Sequence, residues 1–325
     1  MMDVVLGIDT SNYRTSLCLV DTGGRVVAEE KELLTVEAGE RGLQQSAALF
    51  QHVKRLPELA HRMTTEGRKV VAIAVSRTPR PVEGSYMPVF LAGQMVAELM
   101  AHFFHVPVYY TSHQEGHIAA GEYTLAQPIA VDRFLAVHLS GGTSEVLDCT
   151  KRVGGYEIEC IGGTQDLHAG QLIDRIGVAL GLPFPAGPYL EEMARQAGEN
   201  GLAVPSSVAR YTFSFSGPEA ALMRAIKQNV PPAQIARAAE KCIATTLEKA
   251  LRTATEDGYP KDILIVGGVS ANTYIRERLT KRLTHRAVGA RLYFADPVYA
   301  GDNAFGVARI GLLQFLAGYK GERSD

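Results

Sequence analysis

No apolar run in this sequence approaches the ~20 residues that a membrane-spanning helix needs. Met1-Met2-Asp3 carries no basic stretch and leads directly into a strand, so no signal peptide is expected and the expected location is cytoplasmic. Charge of one sign is also missing: 33 Lys and Arg stand against 35 Asp and Glu, a formal net charge of −2. That balance argues against a stand-alone nucleic-acid binder, though a local basic face or a partner protein could still supply the field. Cysteine is scarce, with Cys18, Cys149, Cys160 and Cys242 scattered and no Cys-x-x-Cys. They read as reduced thiols, not as a disulfide or zinc framework. The Gly-Lys-Ser/Thr of a P-loop is absent, as is a dinucleotide fingerprint after the first strand. What remains has the composition of an ordinary globular protein, and 325 residues are enough for two lobes.

The pattern along the chain repeats once. Val4–Ile8 is a short apolar run, Asp9-Thr10-Ser11-Asn12 has turn chemistry, and Thr15–Val20 reads as a second strand. Asp21-Thr22-Gly23-Gly24 then turns into Arg25-Val26-Val27. Leu43–Met63 has helical spacing, with Pro57 expected to kink or interrupt it. Val70–Val75 is a buried strand, Arg77–Pro88 a proline-rich loop and Val89–Phe104 a helix. From Phe134 the strand, polar turn, strand, turn, strand order returns, and Leu6–Ser11 aligns with Leu135–Ser140. One duplication of this size implies two lobes of like topology. The boundary falls near Gln127-Pro128, giving lobes 1–127 and 128–301, with a closing helix from Asp302 that joins the first lobe. The second lobe continues with a helix over Ala169–Leu180, a Gly/Pro-rich loop over Gly181–Pro188, and a compact stretch at Tyr211–Gly217. A long amphipathic helix (Pro231–Thr255), a central strand (Ile263–Val266) and a last strand (Arg291–Phe294) complete it.

Two features carry chemistry. The first is a pair of histidines four residues apart, His113 and His117, behind Ser112, a good N-cap residue. A helix starting there puts both imidazoles on one face, where they could close on one metal ion. Two partly buried histidines in ordinary hydrogen bonds explain the pair equally well. The pair is not the zinc-protease motif, because Glu115 lies about 200° round the helix from His113 and cannot reach a water held by the histidines. Asp302 could complete a metal site, although N-capping is the commoner use of Asp at a helix start. The second feature is a set of polar turns ending strands: Asp9–Asn12, Ser140-Gly141-Gly142-Thr143 and Gly267-Gly268-Val269-Ser270. Small residues let backbone N–H groups approach a phosphate, and the third turn also opens a helix. Together they suggest a nucleotide held between the lobes.

These stretches, in this order, resemble the TsaD/Kae/Gcp family, the tRNA threonylcarbamoyladenosine synthase subunit once named O-sialoglycoprotein endopeptidase. The anchors are Gly7–Ser11, His113-Gln114-Glu115-Gly116-His117, Leu139–Gly142, Ala169–Asp174, Gly181–Pro188, Phe213–Gly217, Gly267–Asn272 and Asp302-Asn303-Ala304. The resemblance implies an α/β fold of the two-lobed actin/Hsp70/sugar-kinase kind, with duplicated ribonuclease-H-like domains and nucleotide in the cleft. It implies His113, His117 and Asp302 as ligands of iron or zinc. It implies His138, Leu139, Ser140, Gly141, Gly142, Asp174, Gly187, Glu191 and Asn272 as the nucleotide lining. The ligand it implies is ATP, AMP or threonylcarbamoyl-adenylate, whose threonylcarbamoyl group passes to the exocyclic amine of an anticodon-loop adenine. The partners it implies are tRNA, a shorter paralogue of the same fold and a P-loop ATPase.

The sequence departs from the family at three places. Tyr13-Arg14 stands where most members have an acidic pair, and Thr143 stands where they have His. Thr78-Pro79-Arg80-Pro81-Val82-Glu83-Gly84 replaces the usual Gly-Pro-Gly loop. The departures keep two further functions in view. One is a divergent paralogue that binds ATP and metal as a subunit of a complex. The other is another carbamoyltransferase, or a sugar or acetate-type kinase, on the same fold, and for a kinase Asp9 is the first-turn carboxylate candidate.

Overall fold

The computed structural model describes residues 1–11, 13–37, 43–198 and 202–319. Asn12 of the first polar turn and residues 320–325 of the closing segment lie outside them. Two five-stranded mixed sheets form the frame. The first contains β1 (Met2–Ser11), β2 (Arg14–Asp21), β3 (Val26–Leu33), β4 (Arg68–Thr78) and β5 (Val108–Ser112), in the order β3-β2-β1-β4-β5. The second contains β6 (Arg133–Leu139), β7 (Ser144–Arg152), β8 (Gly155–Gly163), β11 (Asp262–Val266) and β12 (Arg291–Phe294), in the order β12-β11-β6-β7-β8. Between β8 and β11 lies a separate two-stranded hairpin of β9 (Ser207–Ala209) and β10 (Thr212–Ser214). In both large sheets three antiparallel strands are followed by two parallel ones. The duplication read from Leu6–Ser11 and Leu135–Ser140 is thus a duplication of topology.

Side-chain alternation along β1 explains how its sheet is covered on both faces. Val4, Leu6 and Ile8 face α1 (Gln45–Arg62) and α2 (Phe90–Phe104), meeting Leu56, Leu59, Ala92 and Ala97. Val5 faces the other way, onto Phe305, Val307, Ala308 and Leu312 of α10 (Phe305–Leu316). The last helix of the chain therefore returns to the first sheet. α3 (His113–Tyr123) follows β5 and packs against α10 and β11, so it lies where the two sheets approach each other. The second sheet carries the larger core. There α4 (Ala169–Ala179), α6 (Ser216–Lys227), α7 (Pro232–Glu256) and α8 (Thr273–Leu283) bury Leu172, Ile176, Leu222, Ile243, Leu247 and Ile275. The short α5 (Gly187–Arg195) packs on α7, and α9 (Pro297–Ala300) precedes α10.

Several boundaries differ from the pattern. Asp9, Thr10 and Ser11 have turn chemistry, yet they continue β1, because Ser16, Thr15 and Arg14 of β2 pair with them. α1 runs through Pro57 as one helix, held on both sides of the proline by Leu56 and Leu59 against the sheet. α10 begins at Phe305, three residues after Asp302, and it is Asn303 Oδ1 that accepts from Gly306 N–H, at 3.2 Å. Asp302 is thereby released from capping.

Candidate metal centre and adjoining cleft

Ser112 and Glu115 build the start of α3 reciprocally. Ser112 Oγ accepts from Glu115 N–H at 3.2 Å, while Glu115 Oε2 accepts from Ser112 N–H at 2.8 Å. This capping box satisfies the exposed donors of the first turn and points Glu115 back along the chain, away from the histidines. His113 and His117 then lie one turn apart, with their Nε2 atoms 3.1 Å from each other. Asp302 Oδ1 lies 3.3 Å from His117 Nε2 and 3.5 Å from His113 Nε2.

These three separations are a test of fit. An ion bound tetrahedrally with bonds of about 2.0–2.1 Å has ligand–ligand edges of about 3.3 Å. The observed edges bracket that value. Asp302 reaches the histidines because α10 crosses α3 at Gly306, where an added Cβ would come within 1.8 Å of Gly116 O. Only glycine allows that approach.

A shell of buried polar groups surrounds the three atoms. Asp9 is fully buried and its Oδ1 accepts from His113 Nδ1 at 3.2 Å and from Ser76 Oγ, while Oδ2 accepts from Ser11 Oγ at 2.8 Å. A carboxylate on the far nitrogen of a ligand histidine fixes its tautomer and orientation. On the other side stands His138, its ring 4.4 Å from that of His117. The nitrogens that His113, His117 and His138 offer lie within 4.8 Å of one another. Both ring nitrogens of His138 are buried and without a partner. In the internal repeat Asp9 aligns with His138, so each lobe contributes the same strand position to the flanks of the histidine pair.

The titration behaviour follows from this packing. Burial works to lower the His113 pKa, but Asp9 and Asp302 raise it to about 10. Burial works to raise the Asp302 carboxyl, and His113 and His117 reverse it, holding that carboxyl well below the usual range. Burial, with His117 and His113 adjacent, keeps His138 neutral and its pKa well below the ordinary value. The buried carboxylate of Asp9 and the partly exposed one of Asp302, set among three imidazoles, favour positive charge at this centre.

A cleft of about 660 Å³ adjoins the centre and is lined by residues of both lobes. Ser140, Gly141, Asp174, Gly187, Glu191 and Asn272 of the expected nucleotide set line it. The other three expected residues are elsewhere. Leu139 is a core residue, Gly142 lines a neighbouring cavity, and His138 belongs to the histidine cluster. The Ser140-Gly141 turn touches the start of α4, where an added Cβ on Gly170 would lie 2.7 Å from Ser140 O. Glu191 Oε1 accepts from Thr273 N–H at 3.1 Å, and Asn272 caps α8 through Ile275 N–H and donates to Glu240 at 2.6 Å. Asp302 lines the cleft as well, so its carboxylate links the cleft wall to the histidine pair.

Asp174 is the least comfortable group in the cleft wall. Burial pushes its carboxyl up to about 6, only partly offset by the hydrogen bond from Ala186 N–H. The folded chain therefore holds this proton more tightly than the unfolded one. The stability this contributes is complete below the unfolded value of 3.8 and is lost as pH rises through about 6. Asp174→Asn keeps the acceptor and removes the charge. Its melting temperature should exceed that of the parent at pH 8, by an amount reflecting on the order of 3 kcal/mol, with no difference near pH 3. A difference independent of pH would contradict this account.

The three departures from the family pattern meet at this centre. Arg14 Nη1 donates to the Asp302 carbonyl at 3.0 Å, so the cation steadies the segment that bears the Asp302 carboxylate. The Tyr13 ring stands edge-on to Phe184, centroids 5.5 Å apart, across the cleft from one lobe to the other. Thr143 and Arg80 line the neighbouring cavity. The roles of Asp9, His138 and Arg80 beside the histidines are not legible from their local sequence. The repeat alignment points to the first two and the unusual loop to the third.

Two duplicated lobes with a cleft between them define a protein of the actin/Hsp70/sugar-kinase class. Solved structures with this frame include full-length HypF in its phosphate- and nucleotide-bound form, 13% identical with a TM-score of 0.58 over 98% of this chain and 47% of that one. The chain thus spans about half the length of HypF. A ROK family glucokinase from Streptomyces griseus in complex with glucose and AMPPNP is 15% identical, with a TM-score of 0.52 over 95% of this chain and 98% of that one. The sequence carries the assignment further. The family model of TsaD, tRNA N6-adenosine threonylcarbamoyltransferase, matches residues 30–309. The protein of that name from Thermus thermophilus is 32% identical over 318 residues, 94% of this chain and 90% of its own. The one from Caldicellulosiruptor saccharolyticus is 29% identical over 328 residues, 97% and 94%. The chain belongs to the tRNA N6-adenosine threonylcarbamoyltransferase family.

Proposed function

We propose that this chain moves a threonylcarbamoyl group from its adenylate to the exocyclic amine of a tRNA adenine. The observation that carries the reading is the position of Asp302, which meets His113 and His117 and also lines the cleft. The nucleotide part of the adenylate fits the cleft, with Asp174 as an acceptor for a ribose hydroxyl and the Ser140-Gly141 turn beside the phosphate. In the transfer the amine nitrogen bonds to the carbamoyl carbon, the bond from that carbon to the phosphate oxygen breaks, AMP leaves and the amine gives up one proton. His113, His117 and Asp302 would hold iron or zinc, which when bound supplies Lewis-acid polarisation of the donor oxygens. Asp9 keeps the His113 ring oriented, and the two lobes align donor and acceptor.

The kinase alternative loses support, because Asp9 lines neither the cleft nor the neighbouring cavity and is committed to Ser11, Ser76 and His113. The near balance of charge suits a chain that meets tRNA within a complex, with a shorter paralogue of this fold and a P-loop ATPase as the partners expected. The test is reconstitution with those partners, ATP, bicarbonate, labelled threonine and tRNA. Label should enter the tRNA and should fall at least ~100-fold with His113→Ala, a ligand loss exceeding the 10–100-fold typical of residues behind a metal ligand. No product with active partners, while the chain still binds nucleotide, would instead assign it to the binding subunits of such complexes.

A further inference from the structure

The second cavity, about 330 Å³, shares Tyr13, Ser140, Gly141 and Asp302 with the cleft and adds His113 and the loop after β4. It has room for about ten water-sized groups, at roughly 30 Å³ each. The loop is held in shape. Gln114 N–H donates to Pro79 O at 3.1 Å, Thr78 Oγ1 donates to Arg80 O at 2.9 Å, and Arg80 N–H donates to Ser85 Oγ at 3.0 Å. This is one of the three places at which the sequence leaves the family pattern.

Arg80 is the only Lys or Arg lining this cavity among the described residues. Its Nη2 pairs with Glu145 Oε1 of the other lobe at 2.6 Å, and Glu145 Oε2 accepts from Gln114 Nε2 at 2.7 Å. The Arg80 Nε atom, in contrast, is buried and has no partner. The rest of the side chain is open, 42% exposed, so guanidinium surface beyond the Glu145 pair is within reach of a ligand in the cavity. A guanidinium with free donors on a fixed stem suits a planar carboxylate.

We propose that this cavity receives the acyl end of the donor and that Arg80 binds its carboxylate, so that the chain prefers carbamoyl groups bearing an acid over those without one. This rests on the adenylate reading above. It makes Arg80 a specificity residue, held in position by Glu145 and supplied by a loop that departs from the usual family pattern.

Calorimetric titration with three probes tests it: AMP, a non-hydrolysable threonylcarbamoyl-adenylate analogue, and the same analogue with its carboxylate replaced by hydroxymethyl. The parent chain should bind the carboxylate analogue roughly 10–100-fold more tightly than the hydroxymethyl one, the value of a charged hydrogen bond. Arg80→Gln should abolish that preference and leave AMP affinity within about twofold. Glu145→Gln should preserve it, since the guanidinium remains. A parent chain that binds both analogues equally, or an Arg80→Gln variant that weakens all three probes alike and is matched by Glu145→Gln, would reduce Arg80 to a clasp between lobes and overturn the inference. Failure of the parent chain to bind any probe would overturn the adenylate reading itself, and the inference with it.

Discussion

His117→Ala should yield a folded chain that carries less than about a tenth of the metal of the parent and modifies tRNA at least ~100-fold more slowly. His117 is 2% exposed, and its Nε2 lies 3.1 Å from His113 Nε2 and 3.3 Å from Asp302 Oδ1. Removing it leaves two of the three proposed ligand atoms, too few to outcompete water for an ion. The fold should survive, because the face of α3 that carries Ile118, Ala119 and Ala120 into the interior is untouched. His117→Gln, closer in volume, controls for the cavity that alanine leaves. Elemental analysis of the purified variants and mass spectrometry of tRNA nucleosides are the two measurements. A parental metal content in both variants would remove His117 from the ligand set.

Gly306→Ala should be strongly damaging for a single added methyl group, although it alters none of His113, His117 and Asp302. The added Cβ would sit 1.8 Å from Gly116 O and 2.8 Å from Ala120 N, both backbone atoms of α3. Neither can turn aside as a flexible side chain would, so α3 and α10 must separate. Asp302 lies four residues before Gly306 and would move away from His113 and His117. Overpacking costs about 1–3 kcal/mol, so for 325 residues a fall in melting temperature of about 2–4 °C is expected, together with loss of bound metal. Circular dichroism melts and metal content measure both. Retention of full metal occupancy at a parental melting temperature would show that the helix crossing does not set the site.

Much of this architecture was legible before any coordinates. The capping box follows from Ser112 and Glu115 at the right spacing, and the i, i+4 geometry of the two histidines follows from it. The matched strand patterns at Leu6 and Leu135 foretell two sheets of one topology, because side-chain alternation and turn position are local properties. Local rules misjudged Asp9–Ser11, whose polar side chains suggest a turn. Pairing with β2 and burial beside His113 draw them into the strand instead. Asp302 was ambiguous for a similar reason, since any carboxylate shortly before a helix looks like a cap until Asn303 is seen to do that work. His138 carries no local mark of its place beside His117, for it is one residue within an apolar strand.

The residue pattern by itself determined most strands of the two large sheets, the start of α3, the duplication and the spacing of the histidine pair, because each depends on neighbours a few positions away. The tertiary structure alone decided which distant groups join that pair. Asp302 stands 185 residues from His117 and Asp9 stands 104 from His113, and no local propensity reports on such separations. They meet because α10 returns to the first sheet and crosses α3 at a glycine, and because β1 and β6 end beside the same turn of helix.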